Sequence, residues 1–196
     1  MSIMLGGRRD VVEEQMDTRL LQYHLVDEAR MTLGYLEQAI GEARKELESR
    51  SLQACEKVFL AWKLAVRLLL TVYLLHMTRQ GPLFIKEVER LEKVKAIARE
   101  DAVIRPVVTT SNVVKVLRYL REKTASPFRE IAHDLLEGQV EGEKLRLLVF
   151  RLHSAFYEGS AGLAGFVDDG EAMEYVEKVL EEIERLKERI VSLLRP

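Results

Sequence analysis

The stretch from Leu52 to about Arg79 most limits what this chain can fold into. Leu52, Cys55, Phe59, Trp62, Val66, Leu69, Tyr73 and His76 alternate by three and four residues, the spacing of one helical face. Ala65, Leu68 and Val72 widen that face until the second half is apolar on most sides. Such a helix needs partners all round it, so the pattern predicts a central helix with others packed about it. A membrane span is the competing reading. The most apolar part, Leu64–Met77, is 14 residues long, holds Arg67, and is flanked by Lys63 and Arg79. A span needs ~20 apolar residues, so the segment reads as a core helix and no membrane is expected.

The rest of the chain repeats the helical period. Leu20, Leu21, Leu25, Ala29, Leu33, Leu36, Ile40 and Leu47 predict a helix from about Asp10 to Arg50, with a break near 31–34 because Gly34 and Gly41 weaken it. Gln80-Gly81-Pro82 ends the second helix. A charged helix is predicted over Phe84–Arg99, then a linker or extended segment over Asp101–Thr110, where β-branched residues surround Pro106. Thr110 or Ser111 caps a helix over Val113–Lys123. Ser126-Pro127 restarts a helix, with serine at the cap and proline at the first helical position, that ends near Gly138. Glu143 to about Tyr157 follows, then a loop with Gly159, Gly162 and Gly165. Asp168 or Asp169 caps the last helix, Gly170–Leu194. There Met173, Val176, Leu180, Ile183, Lys187, Ile190 and Leu194 hold a heptad-like face that suits either the chain's own core or a dimer seam. The expected fold class is all-α. A single helical domain spans 1–196, an up-and-down bundle with its core at about 10–79 and 143–195 and a middle insertion at about 80–140.

Composition narrows the function classes. Of 196 residues, 47% are hydrophobic, too many for a disordered chain. The formal net charge of −2 argues against coating nucleic acid through bulk electrostatics. One cysteine makes no intramolecular disulfide and no cysteine-based zinc site. The amino terminus lacks the apolar run of a signal peptide, and a cytoplasmic location is expected. Glu130-Ile-Ala-His133 has the Glu-x-x-His spacing of carboxylate-bridged di-iron bundles. The residues three before the other histidines are Leu21, Tyr73 and Phe150, so no second copy exists and neither a metal nor another cofactor is expected. Cys55 and Trp62 read as core residues. Between Ala102 and Arg129 six basic residues meet one acid. Lys115, Arg118 and Arg121 share a face there, a candidate RNA- or phosphate-binding patch beside the plainer reading of a solvated surface.

The most informative segment is Leu145–Gly159. On a helix, Arg146 and His153 point the same way two turns apart, and Phe150 and Tyr157 share their face. Leu145, Val149, Leu152 and Phe156 form the adjacent apolar seam, with Arg151 on the side away from His153. The second block, Leu152-His-Ser-Ala-Phe-Tyr-Glu-Gly159, resembles the Leu-His-x-x-Phe-Tyr-Glu-Gly signature of the archaeal PaREP branch of the HEPN-like superfamily. A first block, Tyr35–Ile40 with Leu52–Arg67, contains Gln53-Ala-Cys-Glu-Lys57 where that branch shows a Gln-Ala-Ser-Glu-Lys-like element. The two blocks and the closing helix cover about two thirds of the chain.

That resemblance implies a four-helix core with accessory helices, commonly dimeric. It also implies two roles for the paired residues. In catalytic relatives an Arg-x(4–6)-His motif cleaves RNA without metal, and Arg146-x6-His153 fits the spacing. Histidine would move the proton of the attacking 2′-hydroxyl, arginine would stabilise the phosphate, and Tyr157 would assist. A second subunit would bring its own pair to the same groove. Arg19 and His24 share the spacing but lie far from the signature. Active members place a small polar residue directly after the arginine, whereas this chain has Leu147, and Arg151 sits close to His153. The first reading is therefore a self-associating module that binds RNA, a nucleotide or a protein near His153 and Tyr157. The second is a toxin-like endoribonuclease, which brings with it a small nucleotidyltransferase-like partner. The third is a purely structural assembly piece acting through the last helix.

Overall fold

Helical periodicity governs nearly the whole chain. The computed structural model describes the backbone of residues 6–100, 103–158 and 169–194, and the side chains of 18–100, 103–153 and 170–194. Its helices are α1 (Gly6–Glu48), α2 (Gln53–Met77), α3 (Pro82–Lys93), α4 (Val113–Lys123), α5 (Phe128–Leu136), α6 (Gly142–Glu158) and α7 (Asp169–Ser192). A 3-10 turn, Thr78–Gln80, closes α2. Between α3 and α4, β1 (Ile97–Glu100) pairs antiparallel with β2 (Val103–Pro106), Ile97 opposite Pro106 and Glu100 opposite Val103. The fold is an all-α helical bundle with this one small hairpin among the described residues.

The central helix is where its pattern predicts. Fifteen of the 25 residues of α2 are buried, and α1, α7, α6, α5, α4 and α3 all pack against it. By length and composition alone this helix could cross a bilayer. Burial decides the matter, because 72% of its most apolar window lies inside the bundle. Cys55 and Trp62 are fully buried, as expected of core residues. The Trp62 indole N–H donates to the Leu135 carbonyl at 3.0 Å, tying α2 to α5. Gly142 opens α6 against the same indole. A Cβ at 142 would lie 2.3 Å from Trp62 Cζ2 and 2.8 Å from the Leu135 oxygen, so only glycine lets α6 start here.

Several local expectations change. α1 runs unbroken through Gly34 and Gly41. Leu25, Ala29, Leu36, Ala39, Ile40 and Ala43 are buried along it. That packing outweighs the roughly 1 kcal/mol each glycine costs. α3 stops at Lys93 rather than Arg99. The Ala96 amide bonds back to Leu91 and the Lys95 amide to Glu92, both at 2.9 Å, with Lys95 at φ +58°. This is a left-handed helix stop made without glycine, and it releases 97–100 into the hairpin. Neither Thr110 nor Ser111 caps α4; Asn112 precedes its first residue. The Asn112 side-chain oxygen accepts from the Thr109 amide at 2.7 Å. Its amide group donates to Lys95 and Val107 carbonyls at 2.9 Å, joining hairpin to helix. α5 begins at Phe128, one residue after Pro127. Ser126 Oγ bonds the Glu130 carboxylate at 2.7 Å instead of a backbone amide.

The middle segment shares the main core. Val116, Leu117, Leu120, Ile131 and Leu135 are buried in one cluster with α1, α2, α6 and α7 residues. In α7 the heptad face is spent on that core: Val176, Val179, Leu180, Ile183, Leu186 and Ile190 are buried within the chain. Asp168, Gly159, Gly162 and Gly165 lie outside the described residues.

Candidate functional site

Two polar pairs, each spaced by seven residues, face one another across α2 and α6. Glu56 and Lys63 interrupt the apolar surface of α2; Arg146 and His153 do the same on α6. Gly142 lies against Trp62 while His153 lies against Glu56, so the two helices run antiparallel here. The result is a groove of about 500 Å3 lined by Glu56, Phe59, Leu60, Lys63, Thr110, Arg146, Leu147, Val149, Phe150 and His153. Arg146 and His153 therefore project into a shared cleft, as their spacing on one helix predicts.

The groups at the two ends of the groove differ. His153 is largely exposed, and its Nε2 lies 3.4 Å from Glu56 Oε1. Arg146 is half-buried, and its Nε–H is buried with no hydrogen-bond partner among the described residues. Beside it Lys63 Nζ donates to Thr110 Oγ1 at 3.3 Å and sits 5.0 Å from the centre of the Phe59 ring. Burial pushes the Lys63 ammonium below the ordinary lysine pKa. Phe150, one turn along α6 from Arg146, is 68% exposed, with Leu60 and Leu147 also open to solvent. Leu145 and Val149 are buried in the core. Tyr157 lies on α6, but its side chain falls outside the described residues, as does that of Phe156.

The axial distance between Arg146 and His153 decides what the groove can do. Seven residues of helix rise about 10 Å. The two groups thus leave α6 about two turns apart along the cleft, a spacing that suits an extended anion and that the side chains must bridge to meet at one phosphorus. An unpaired buried donor is costly and calls for an acceptor. A phosphate oxygen supplies one, with Lys63 contributing a second charge and Phe150 a flat apolar face.

The basic patch on α4 is arranged differently. Arg118 pairs with Glu143 at 2.6 Å. Arg121 pairs with Glu137 and, at 3.6 Å, with Glu122, and the hydrogen bond it donates to Glu137 raises its pKa. Lys115 is exposed. Two of the three cations are thus committed to carboxylates. His133 is a surface residue 3.8 Å from Glu137, and no group of three potential metal ligands occurs among the described residues. A cavity of about 660 Å3 between α1 and α7 is lined by Glu48, Glu174, Glu177, Glu181 and Glu184 around Arg44 and Arg50, a surface that repels phosphates.

Sequence reasoning found Arg146 and His153 and missed Glu56, Lys63, Phe59 and Thr110. The missed signal is the seven-residue spacing of Glu56 and Lys63 inside the most apolar helix. Comparison with protein-family models, curated proteins and solved structures finds no match to this chain.

Proposed function

We propose that this chain is a small HEPN-like helical module of the cytoplasm that binds RNA along the groove between α2 and α6. The observation that carries the reading is the buried Nε–H of Arg146, unpartnered among the described residues, in the cleft that Lys63 also lines, with Phe150 exposed one turn along α6. Arg146 and Lys63 hold a phosphate, a base stacks on Phe150, and His153 meets the next part of the strand. The two sequence blocks that resemble the PaREP branch support the same class.

A second reading, metal-independent cleavage, is favoured by one contact, that of His153 with Glu56. A carboxylate beside an imidazole orients the ring and stabilises its charged form when it takes the proton of an attacking 2′-hydroxyl. Arg146 would then stabilise the phosphate.

Fluorescence anisotropy with a labelled single-stranded RNA tests the first reading. Saturable binding is expected, weakened roughly tenfold by Arg146→Gln or Lys63→Gln, and salt-dependent. No binding, or binding indifferent to both substitutions, overturns it. Incubating the same RNA with protein and EDTA tests the second. Cleavage that survives chelation and vanishes in His153→Ala supports the nuclease, and intact RNA removes it.

A further inference from the structure

The side of α1 turned away from the core carries an uncovered apolar strip. Leu20, Tyr23, Met31 and Tyr35 are each more than half exposed, and they make up four of the ten large hydrophobic side chains exposed among the described residues. At 100° per residue they fall on one face with Asp27, Gly34 and Gln38, and Arg30 stands at its edge. A strip this long and apolar marks an interaction surface. Its charges are balanced: Asp27 and Arg30 lie one turn apart, 3.6 Å between carboxylate and guanidinium, both well exposed. At Gly34 an added Cβ would meet no atom within 4 Å, so the backbone there is an open seat.

We infer that this strip is a two-fold interface with a second copy of the chain, the two α1 helices lying antiparallel. Charge and shape select the same register. Setting Asp27 opposite Arg30 of the partner subunit places Tyr23 opposite Gly34 of the partner subunit, because each pair is symmetric about the same point on the helix. The two-fold repeats both contacts, giving two ion pairs and two aromatic knobs seated on glycine, with the Met31 side chains between them. An isologous contact requires this self-complementarity. A nucleic-acid surface would instead carry an excess of cations. α1 packs on α2 and α7, whereas the RNA groove is built from α2, α6 and Thr110. This dimer therefore leaves the groove open, in contrast to one in which two subunits share it, and it stands independently of the groove's function.

Sedimentation equilibrium of the full chain tests the interface. The wild type is expected to be a dimer. Asp27→Arg and Arg30→Asp each place like charges in contact and are expected to raise the dimer dissociation constant roughly tenfold or more. The double swap restores both attractions and the dimer. Gly34→Leu fills the seat of Tyr23, its Cβ meeting no neighbouring atom within 4 Å, and weakens the dimer in the same way while circular dichroism reports unchanged helicity. A monomeric wild type, a dimer that survives both reversals, or a double variant that stays dissociated overturns the inference.

Discussion

Two regions of this protein bury polar side chains, and they do so in opposite ways. In the first, the Glu87 carboxylate on α3 is 4% exposed. Tyr73 and Tyr119 hydroxyls donate to its Oε1 at 2.8 Å, and Arg90 Nη1 donates to Oε2 at 3.4 Å. Burial first, and then the hydrogen bond to Glu87, hold both phenols well above the ordinary tyrosine pKa. Donors and acceptors are matched, and α2, α3 and α4 are joined by the match. In the groove, Arg146 Nε has no partner among the described residues and Lys63 has a long bond to Thr110. A satisfied cluster stabilises the fold. An unsatisfied one costs stability and is complete only when something from outside supplies the acceptor. The first region is thus structure, and the second is where function is to be sought.

The contrast can be broken at several points. The largest effect is expected at Glu87→Ala, which strands the buried Tyr73 hydroxyl and the half-buried Tyr119 hydroxyl and should cost about 3 kcal/mol of stability. A chemical-denaturation midpoint measures it, and a loss under about 1 kcal/mol would deny that the cluster is a structural unit. Gly142→Ala comes next and links the two regions. Its methyl would force α6 away from Trp62 and Leu135, at a cost of about 1–3 kcal/mol. Arg146 sits one turn further along α6, so RNA affinity should fall with stability. A variant with lower stability and wild-type affinity would separate α6 placement from binding.

Lys63 gives a pH signature. Its pKa is lowered by burial, so it loses its proton at a lower pH than an ordinary lysine. RNA affinity should be full while the ammonium is charged and should begin to fall, as pH rises, before exposed lysines titrate. Lys63→Gln should flatten that fall, and an unchanged profile would take Lys63 out of the site. The smallest effect is expected at Arg118→Ala, which removes one exposed ion pair. Stability and RNA affinity should each change by less than about 0.5 kcal/mol. A tenfold loss of affinity there would move the binding surface to α4.

The periodicity of Leu52–Arg79 made the centre of the fold legible, because a helix apolar on most sides has one place to go. Arg146 and His153 were legible as a pair because seven residues on a helix return to one face. Lys63 and Glu56 were not, because only the antiparallel packing of α6 on α2 gives their spacing a partner. The end of α3 was hidden for a related reason. A left-handed stop at Lys95 is held by two backbone hydrogen bonds and the hairpin beyond it, and no glycine announces it. The surroundings of the basic patch were not legible in composition. A one-dimensional count sees Arg118 and Arg121, while Glu143 and Glu137, which oppose them, arrive from later in the chain.

The most direct test of the groove follows the proton on which the proposal rests. In a spectrum of 15N-labelled protein that resolves arginine Nε–H groups, a short single-stranded RNA should shift the Arg146 resonance as its buried N–H gains an acceptor. Those of Arg118 and Arg121 should stay in place. Movement of the Arg118 and Arg121 signals with Arg146 unmoved would contradict the account and return the binding surface to α4.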